Sequence, residues 1–439
     1  MKVLHITGHL GGGVGTVVLS YLSYKVNDTS QTHTVISLDT LNSNARDQLQ
    51  RLGIAFYSDC YESFEQLCTV ISEHDIVVLH WWNHPLISSL LICKGLPPCR
   101  LVIWSHISGT PAPNCFSERL FEIPDRFVFT TPLSYLDPVY AGLPQSIKSR
   151  VDVIWSTAGV ERLANVHPIA HKEKNVGYIG NLDFTKISSS FGEICEALAD
   201  DATFTVVGPP NSDFSEHIAS LAPSAKVRLT GFISESEKWS ELARFDVFGY
   251  PLAPHHYGTC DQTIQEAMAV GVVPVVLANP MESYMVEHNV TGLVAKSIPE
   301  YVEYIKVLLV DVAFKSQLAK NAREYAFETF SIKKSVLAWD QLLADICDSS
   351  DKRPRLWSDR PLENEPHHVF IESLGRYGEV FREDLVPKHF TNASTEGQLR
   401  ALSSLPQWQS HNKSTAHQFA SFFPSDPVLK RWSELTSKE

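Results

Sequence analysis

The sequence predicts an α/β fold in which two parallel-sheet units follow each other along the chain, with a C-terminal extension after them. Short, continuous apolar runs alternate with helix-compatible stretches, as expected for parallel strands buried on both faces. A polar segment without a clear period, residues 162–175, interrupts this alternation. The alternation then starts again, so we expect two units of similar size with a ligand cleft between them.

The first unit is predicted to span residues 1–165. Its predicted strands are short runs rich in Val, Ile and aromatic residues. They comprise residues 2–7, 33–38, 75–82, 100–107, 126–131 and 151–156. Helix-compatible segments at 14–25 and 61–73 lie between them, which favours a parallel sheet with covering helices.

The second unit, residues 170–348, repeats the pattern. Its predicted strands comprise residues 175–180, 203–208, 226–231, 245–250, 272–277 and 291–295. Helices are predicted between and after these strands, at 187–199, 213–221, 235–243, 262–270, 299–310 and 331–347. The segment 162–175 is interpreted as the linker between the two units.

The extension, residues 350–439, begins with a charged, Pro-containing stretch. Phe, Trp and Leu recur along the rest of it, which predicts a folded segment. Roughly 90 residues with scattered aromatics form only a marginal core on their own. We therefore expect the extension to pack against the preceding units.

Composition excludes several classes of protein. The chain has 439 residues, 44% of them hydrophobic and 20% charged, which is typical of a globular protein. Its net charge of −13 argues against nucleic acid as a partner. The eight cysteines form no C-x-x-C pair, so neither a zinc framework nor a disulfide scaffold is predicted. No apolar run is long enough to span a membrane. We expect a cytoplasmic protein, with peripheral association at a membrane left open.

Two segments that follow predicted strands contain residues suited to an anionic ligand. The loop "GHLGGGVGT", residues 8–16, allows close backbone approach at Gly12 and Gly13, or serves only as a tight strand–helix turn. It matches neither the dinucleotide nor the phosphate-loop pattern. Lys186 ends "GNLDFTK" and supplies either a point charge for a diphosphate or an ordinary surface cation.

The segment "HHYGTCDQ", residues 255–262, leads into a small apolar helix. Thr259 or Asp261 is a candidate N-cap, and the N–H groups of a helix start suit a phosphate. Glu266 lies about one turn further on. Its carboxylate can accept two hydroxyl hydrogens from a ribose, or merely complement the helix dipole.

These segments together resemble retaining glycosyltransferases of family four, which have the GT-B fold of two facing Rossmann-like domains. The family has ordered motifs in its nucleotide-sugar-binding domain, ending in E-x(7)-E-A-M-A-x-G-x-P-V-V and T-G-L. Corresponding motifs here are "IGNLDFTK" (179–186), "VVG" (206–208), "VRLTGF" (227–232), "EAMAVGVVPVV" (266–276) and "VTGLV" (290–294). The first unit resembles the acceptor domain more weakly. The resemblance covers about residues 1–347, and nothing in 350–439 is recognised.

The resemblance implies a set of site residues. His106 corresponds to an acceptor-side histidine, Glu266 to the ribose ligand and Lys186 to a diphosphate contact, and these three are the expected catalytic residues. The expected nucleotide-sugar-binding residues are Gly12, Gly13, Asn181, Phe232, Gly258, Thr259, Cys260, Asp261 and Glu266. Aromatic residues of "HWWNH", residues 80–84, are candidates for the acceptor groove or for core packing.

Two positions depart from the family pattern. Asn181 stands where the family has an arginine, so one of two cations at the diphosphate is missing. Gly258 stands where the family has the first glutamate of its E-x(7)-E motif, a group that faces the sugar. Asp261 and His256 are the nearest candidates to replace that carboxylate.

The resemblance implies transfer of a sugar from a nucleoside diphosphate sugar to a glycan, lipid-linked or small-molecule acceptor, with retention, in polysaccharide biosynthesis. No metal is expected, because the chain has no D-x-D triplet and Lys186 with a helix dipole can neutralise the leaving diphosphate. No cofactor is expected beyond the donor. The alternatives are a nucleotide-sugar epimerase or phosphorylase on the same fold, or a catalytically silent nucleotide-sugar-binding or scaffold protein.

Overall fold

The computed structural model of this protein describes residues 1–358, 365–386 and 395–437. The chain forms two compact units. The first comprises Met1–Ala158 together with Ser335–Glu439, and the second comprises Gly159–Lys334. Each contains one largely parallel sheet with helices packed around it.

In the described part of the first unit, eight strands form the sheet. They are β1 (Lys2–Thr7), β2 (Thr32–Ser37), β3 (Ala55–Tyr57), β4 (Ile76–Trp81), β5 (Leu96–Ser105), β6 (Arg126–Phe129), β7 (Val151–Val153) and β14 (Arg353–Arg355). Seven lie in the order β3-β2-β1-β4-β5-β6-β7 and pair in parallel, and β14 pairs antiparallel with β5. This is a doubly wound order that reverses between β1 and β4.

Helices of the first unit include seven before the second unit begins. They are α1 (Gly12–Lys25), α2 (Ser43–Leu52), α3 (Phe64–Ser72), α4 (Pro85–Ser89), α5 (Glu118–Glu122), α6 (Pro138–Gly142) and α7 (Gln145–Lys148). The side chain of Asn42 caps the start of α2, and Gly53 ends it in the left-handed conformation, as is common at helix C-termini.

Six strands form the sheet of the second unit in the order β10-β9-β8-β11-β12-β13, and all of its pairs are parallel. They are β8 (Asn175–Ile179), β9 (Thr203–Val207), β10 (Val227–Leu229), β11 (Val247–Tyr250), β12 (Val273–Leu277) and β13 (Leu293–Ala295). Its helices are α8 (Phe191–Ala197), α9 (Ser212–Leu221), α10 (Glu235–Leu242), α11 (Gln262–Val270), α12 (Pro280–Met285), α13 (Ile298–Val310) and α14 (Val312–Thr329).

The boundaries between the two units differ from the predicted ones at 165 and 348. The second unit begins at Gly159 and ends at Lys334, because the segments near the predicted boundaries pack on the other unit. Helix α15 (Ile332–Ser349) lies mainly with the first unit, where Trp339 contacts the rings of Tyr21 and Trp104. The predicted linker lies with the second unit, where the backbone N–H of Ile169 donates to Ala243 O at 2.7 Å.

The described part of the extension packs on the first unit, as predicted. Its helices are α16 (Pro366–Ser373), α17 (Glu379–Asp384), α18 (Thr395–Ala401), α19 (Ala416–Phe422) and α20 (Pro427–Leu435). Phe370, Phe419 and Trp432 are buried in the same apolar core as the sheet residues Leu79 and Phe127. Among the described residues, no helix combines the length and apolar character needed to cross a bilayer.

Candidate functional site

The strand order places the loops that can form a ligand site. In a doubly wound sheet, ligands bind beyond the carboxyl ends of the strands, where the strand order reverses. In the second unit this point lies between β8 and β11. Lys186 lies in the loop after β8 and Asp261 in the loop after β11.

Lys186 contacts Asp261 instead of pointing freely into solvent. Its Nζ lies 3.2 Å from Oδ2 of Asp261, and each side chain is 12% exposed. The hydroxyl of Tyr250 donates to the same oxygen at 2.7 Å. Burial lowers the pKa of Lys186, but Asp261 and the neighbouring tyrosines Tyr257 and Tyr178 together outweigh burial and raise it. Burial raises the pKa of Asp261, but Lys186, His256 and the Tyr250 hydroxyl together outweigh burial and lower it. Both groups are therefore charged at neutral pH, and Lys186 is not an ordinary surface cation.

Two tyrosine rings lie beside Lys186. Its Nζ is 5.7 Å from the ring centroid of Tyr250 and 5.6 Å from that of Tyr257, within the range of cation–π attraction. The amide of Asn181 donates to the Tyr257 hydroxyl at 2.6 Å. Asn181 therefore positions a ring next to the lysine, where the family resemblance places a second cation.

Gly258 lies in a space that no larger residue fits without a shift. A Cβ at Gly258 would come within 2.8 Å of Nδ1 of His256 and 3.0 Å of Oδ2 of Asp261. The same His256 nitrogen accepts a hydrogen bond from the Gly258 N–H at 2.9 Å. His256 is anchored from its other side, because Nε2 lies 3.2 Å from Oε2 of the buried Glu282. Asp261 is thus the carboxylate nearest to the position of the missing glutamate.

Helix α11 begins after Asp261, which decides between the two predicted N-caps. Asp261 is the N-cap residue, although its side chain makes no capping bond because the carboxylate is held by the contacts described above. Thr259 lies before the helix and is buried. Cys260 Sγ accepts a hydrogen bond from the Gln265 amide at 3.2 Å. The helix ends before Gly271, as the predicted range 262–270 implies, and Gly271 adopts the left-handed conformation.

Glu266 is buried between two cations. It is 2% exposed, and its Oε1 accepts hydrogen bonds from Arg162 Nη2 at 2.7 Å and from Lys238 Nζ at 2.8 Å. Its Oε2 is buried without a hydrogen-bond partner in the described part of the chain. A buried carboxylate oxygen without a partner is costly, so this atom is suited to accept hydrogen bonds from a ligand.

The two residues that hold Glu266 were not among the predicted site residues. Arg162 lies in the short 3₁₀ helix Val160–Leu163, and its guanidinium lies 5.4 Å from the ring of Trp239. Lys238 lies on α10, one residue before that tryptophan. Helix periodicity predicts α10. A local pattern cannot show that Lys238 contacts Glu266, which lies on α11, 28 residues further along the chain.

Phe232 lies in the loop between β10 and α10, and it is 88% exposed. A capping box holds this loop: the Ser234 N–H donates to Glu237 Oε2 at 2.8 Å, and Ser234 Oγ accepts from the Glu237 N–H. An exposed aromatic ring on a fixed loop offers a flat apolar surface, which suits stacking on a nucleotide base.

His106 follows β5 in the first unit, at the carboxyl edge of that sheet. Its Nε2 lies 2.9 Å from Nδ1 of His80. Burial lowers the pKa of His106 to about 3, so the imidazole is neutral at physiological pH. A neutral imidazole can accept a proton, which a charged one cannot.

The glycines of the first loop have different roles. A Cβ at Gly8 would lie 2.7 Å from the His84 ring, and one at Gly15 would lie 2.2 Å from Leu10 O, so packing explains both. Gly12 and Gly13 begin α1, and a Cβ at either would meet no atom within 4 Å. Gly12 adopts φ +60°, which favours glycine. The loop is therefore a tight turn with open space at the two predicted positions.

The two tryptophans of "HWWNH" differ in their surroundings. Trp81 is 1% exposed and belongs to the apolar core. Trp82 is half-buried, and its ring contacts those of His9 and His84. Only Trp82 is accessible enough to line a groove.

Two other features lie away from these residues. A cavity of about 560 Å³ lies at the amino ends of β8, β9 and β10, at the opposite edge of the sheet from Lys186. Its lining includes none of the predicted site residues. In the extension, Glu365, His367 and His368 lie close enough to share a cation, but His367 Nδ1 is bound to Asp426 at 2.9 Å.

The predicted site residues thus form three groups. Lys186, Asp261 and Asn181 come together through the two tyrosines, next to Gly258. Glu266 belongs to a second group with Arg162 and Lys238. His106, Gly12 and Gly13 lie in the first unit. Asparagine at 181 and glycine at 258 are accommodated by the local packing.

Residues 160–325 match the family model described as glycosyl transferases group 1. No curated protein matches the chain at a significant level.

Solved structures match most of the chain. A glycosyltransferase from Rickettsia africae ESF-5 is 14% identical with a TM-score of 0.62, over 80% of this chain and 99% of that one. HepE from Anabaena, in complex with UDP and glucose, is 16% identical with a TM-score of 0.60, over 79% and 100%. Sucrose-phosphate synthase from Thermosynechococcus elongatus is 17% identical with a TM-score of 0.61, over 80% and 100%. At these identities the likeness establishes the fold and confirms two Rossmann-like domains.

Proposed function

Because residues 160–325 match the glycosyl transferases group 1 family and the chain has the GT-B fold, we propose that this protein moves a sugar from a nucleoside diphosphate sugar to a hydroxyl acceptor with retention. The acceptor is a glycan, a lipid-linked sugar or a small molecule. One observation carries the proposal: Glu266 presents a buried carboxylate oxygen without a described partner, on the helix that begins beside Lys186 and Asp261.

In this proposal the second unit holds the donor nucleotide. Oε2 of Glu266 accepts hydrogen bonds from the ribose hydroxyls, while Arg162 and Lys238 hold Oε1 and thereby fix the carboxylate. Phe232 stacks on the base. HepE is described in complex with UDP and with UDP-glucose, so a uridine nucleotide is the first candidate for the donor.

Lys186 stabilises the departing diphosphate. During transfer, the bond between the sugar C1 and the diphosphate oxygen breaks, and the electron pair stays on the diphosphate. A cation beside that oxygen stabilises the transition state more than the ground state. The proposed reaction therefore needs no metal and no cofactor beyond the donor.

The first unit supplies the acceptor side. We place His106 next to the acceptor hydroxyl, and Gly12 and Gly13 next to the sugar or phosphate of the donor. A cytoplasmic location and a role in polysaccharide biosynthesis remain predictions.

A silent nucleotide-sugar-binding protein is the second candidate. The ion pair between Lys186 and Asp261 favours it, because the lysine is already neutralised. Such a protein would bind a nucleoside diphosphate but would not release one from a nucleotide sugar.

Nucleotide binding tests the donor site. We expect calorimetry with UDP, GDP and ADP to detect binding of at least one nucleotide to the wild-type protein. Glu266→Gln should weaken that binding by roughly 10- to 100-fold, since a charge-assisted hydrogen bond contributes about 1.5–3 kcal/mol. Glu241→Gln is the matched control, since this carboxylate lies at the opposite edge of the same unit. Equal affinity of the Glu266→Gln and wild-type proteins would remove Glu266 from the site.

A further inference from the structure

Four buried histidines of the first unit form a continuous hydrogen-bonded row. The distance is 3.0 Å between His33 Nδ1 and His5 Nε2, and 3.1 Å between His5 Nδ1 and His80 Nε2. It is 2.9 Å between His80 Nδ1 and His106 Nε2. We call these four residues the histidine chain.

Every contact in the histidine chain joins the same two kinds of ring nitrogen in the same order. Each joins Nδ1 of one ring to Nε2 of the next, in the order His33, His5, His80, His106. A neutral imidazole has one N–H donor and one acceptor nitrogen. The three contacts are therefore satisfied together only when all four rings carry the hydrogen on the same-named nitrogen. A change of tautomer at one ring requires a change at all four.

The register of the sheet explains this order. His33 lies opposite Val3 on β2 and β1, and His80 lies opposite Trp104 on β4 and β5. Side chains two residues apart lie on the same face of a strand. Each step to the next strand therefore moves the row two residues towards the carboxyl ends. The histidine chain crosses the sheet diagonally, from near the amino end of β2 to the residue after β5.

Burial keeps the rings neutral. His5 and His80 are at most 1% exposed, and burial lowers the pKa of each well below 6.5, with further lowering by neighbouring histidines. Tyr21 and Trp104 pack against the row. Aliphatic side chains would fill such positions without the cost of burying polar atoms.

The two ends of the histidine chain have different surroundings. At the carboxyl edge, Nδ1 of the half-buried His106 makes no hydrogen bond to the described residues. At the other end, Nε2 of His33 is buried and has no partner in the described part of the chain. Charged groups surround that end: Lys25, which is paired with Asp28 and Asp340, and the N-terminal amine.

We propose that the histidine chain is a proton wire between the acceptor hydroxyl at His106 and the charged groups near His33. This role rests on the proposed sugar transfer. As the bond between the acceptor oxygen and C1 forms and the bond between C1 and the diphosphate breaks, the hydroxyl proton moves to Nδ1 of His106. The Nε2 proton of each ring then moves to Nδ1 of the next, and His33 releases a proton from Nε2.

The reverse movement resets the wire. A solvent proton enters at Nε2 of His33, and His106 gives its Nδ1 proton to the departing diphosphate, whose charge has increased. Atoms and charge balance, since the hydroxyl proton has left to solvent and a solvent proton has reached the diphosphate. In this scheme His106 is a catalytic residue, and His80, His5 and His33 are positioning residues that set its tautomer.

Groups outside the row also act on its titration. Lys25 lowers the pKa of His33, and Asp340 and Asp28 oppose that effect. His74 lowers the pKa of His5 but is not part of the row, because its ring nitrogens contact Val70 O at 2.7 Å and Thr34 Oγ1 at 3.0 Å. His74 is therefore a matched control: a buried histidine beside the chain with two hydrogen bonds of its own.

Nitrogen NMR of the full-length protein with labelled histidine tests the wire without any assay of activity. We expect all four rings to be neutral at pH 7, with the hydrogen on the same-named nitrogen in each. His33→Gln should redistribute the tautomers of His106, and His74→Gln should leave them unchanged. A cationic ring, or neighbours with hydrogens on differently named nitrogens, would overturn the proposal. The wild-type spectrum decides even if a variant does not fold.

Kinetics then test whether the wire serves the reaction. His33→Gln should lower kcat about ten-fold with KM unchanged. In the wild type, a plot of kcat against the deuterium fraction of the solvent should be curved because several protons move together, and His33→Gln should remove that curvature. His74→Gln should keep both. An unchanged kcat and isotope dependence in His33→Gln would contradict the wire. Failure of the proposed sugar transfer can be told apart from failure of the wire. If the protein does not transfer sugars, no nucleotide sugar will react, but the tautomer pattern of the four rings will persist.

Discussion

Lys186 is paired with Asp261, so a diphosphate that binds at this lysine would have to compete with a carboxylate. Both side chains are only 12% exposed, which strengthens their attraction compared with a pair in water. The Tyr250 hydroxyl holds Asp261 from a second direction. The pair therefore sets the charge that a nucleotide would meet at this point of the proposed donor site.

Asp261→Asn should tighten the binding of nucleoside diphosphates. The amide oxygen keeps the hydrogen bond from Tyr250, while Lys186 is released for the ligand. We expect the Kd to fall by about ten-fold, equivalent to about 1.4 kcal/mol. Lys186→Ala should change the Kd in the opposite direction. Calorimetry on both variants checks this, and weaker binding to Asp261→Asn would show that Lys186 does not face the diphosphate.

Gly258→Ala should destabilise the protein, although alanine is a small residue. Its Cβ would lie within 2.8 Å of a His256 ring that cannot easily move, because Glu282 anchors it. Overpacking of this kind costs about 1–3 kcal/mol of unfolding free energy. Gly13→Ala is the control, since a Cβ there meets open space. Urea unfolding of the two variants should differ, and equal stabilities would refute the packing argument.

The regular elements could be predicted where their pattern is strong. All twelve predicted strands are present, because each contains a short apolar run flanked by helices or turns, and in most of them that run is buried. Strand β3 was missed because it is only three residues long, and two of those residues are exposed. Helix α14 was missed because its apolar residues are diluted by polar ones over 18 positions. Strand β14 depends on pairing with a distant partner, which local pattern does not reveal.

The candidate site was predictable only in part, for a similar reason. The motifs located Lys186 and Glu266, since these lie at fixed distances from strands and glycines. They could not reveal the partners of those residues, because Arg162 and Lys238 reach Glu266 across separations of 104 and 28 residues. Contacts of that kind depend on the packing of whole helices.

Strand β14 attaches the extension through Arg355, so Arg355→Met should loosen it. The guanidinium is fully buried and donates to Cys99 O at 2.7 Å and to Ile123 O at 2.9 Å, and it pairs with Asp125. Removing one partner of a buried ion pair costs about 3–5 kcal/mol. Trypsin should then cleave after Lys352 much faster than in the wild type.

Arg353→Met serves as the control for that experiment. Arg353 lies on the same strand, but its side chain is 52% exposed. We expect its proteolysis rate to stay close to that of the wild type. Slow cleavage in both variants would mean that Arg355 does not hold the extension in place.

The stability of the protein as a whole should fall as the pH is lowered from about 6.5. The folded state keeps His33 neutral with a pKa of about 4, and His84 and His106 with pKa values of about 3, all through burial. An unfolded chain binds protons at these positions from about pH 6.5 downwards. The stability they contribute is thus complete above pH 6.5 and is lost towards pH 4 and below.

Urea unfolding at several pH values measures this effect. Each buried histidine should contribute a slope of up to about 1.4 kcal/mol per pH unit within that window. His33→Gln should have a shallower slope than the wild type. Equal slopes would mean that His33 has the same proton affinity in the folded and unfolded states.

Release of nucleoside diphosphate from a nucleotide sugar tests the central claim, that the site catalyses transfer, most directly. Single-turnover reactions with labelled UDP-, GDP- and ADP-sugars should show slow release without acceptor and faster release with one. Lys186→Ala should lower the rate by about 10²–10³-fold while donor binding falls far less. Lys315→Ala, which removes a lysine paired with Asp246 elsewhere in the same unit, should match the wild type. A wild-type protein that binds a nucleotide but releases none, or a Lys186→Ala protein as fast as the wild type, would contradict the account.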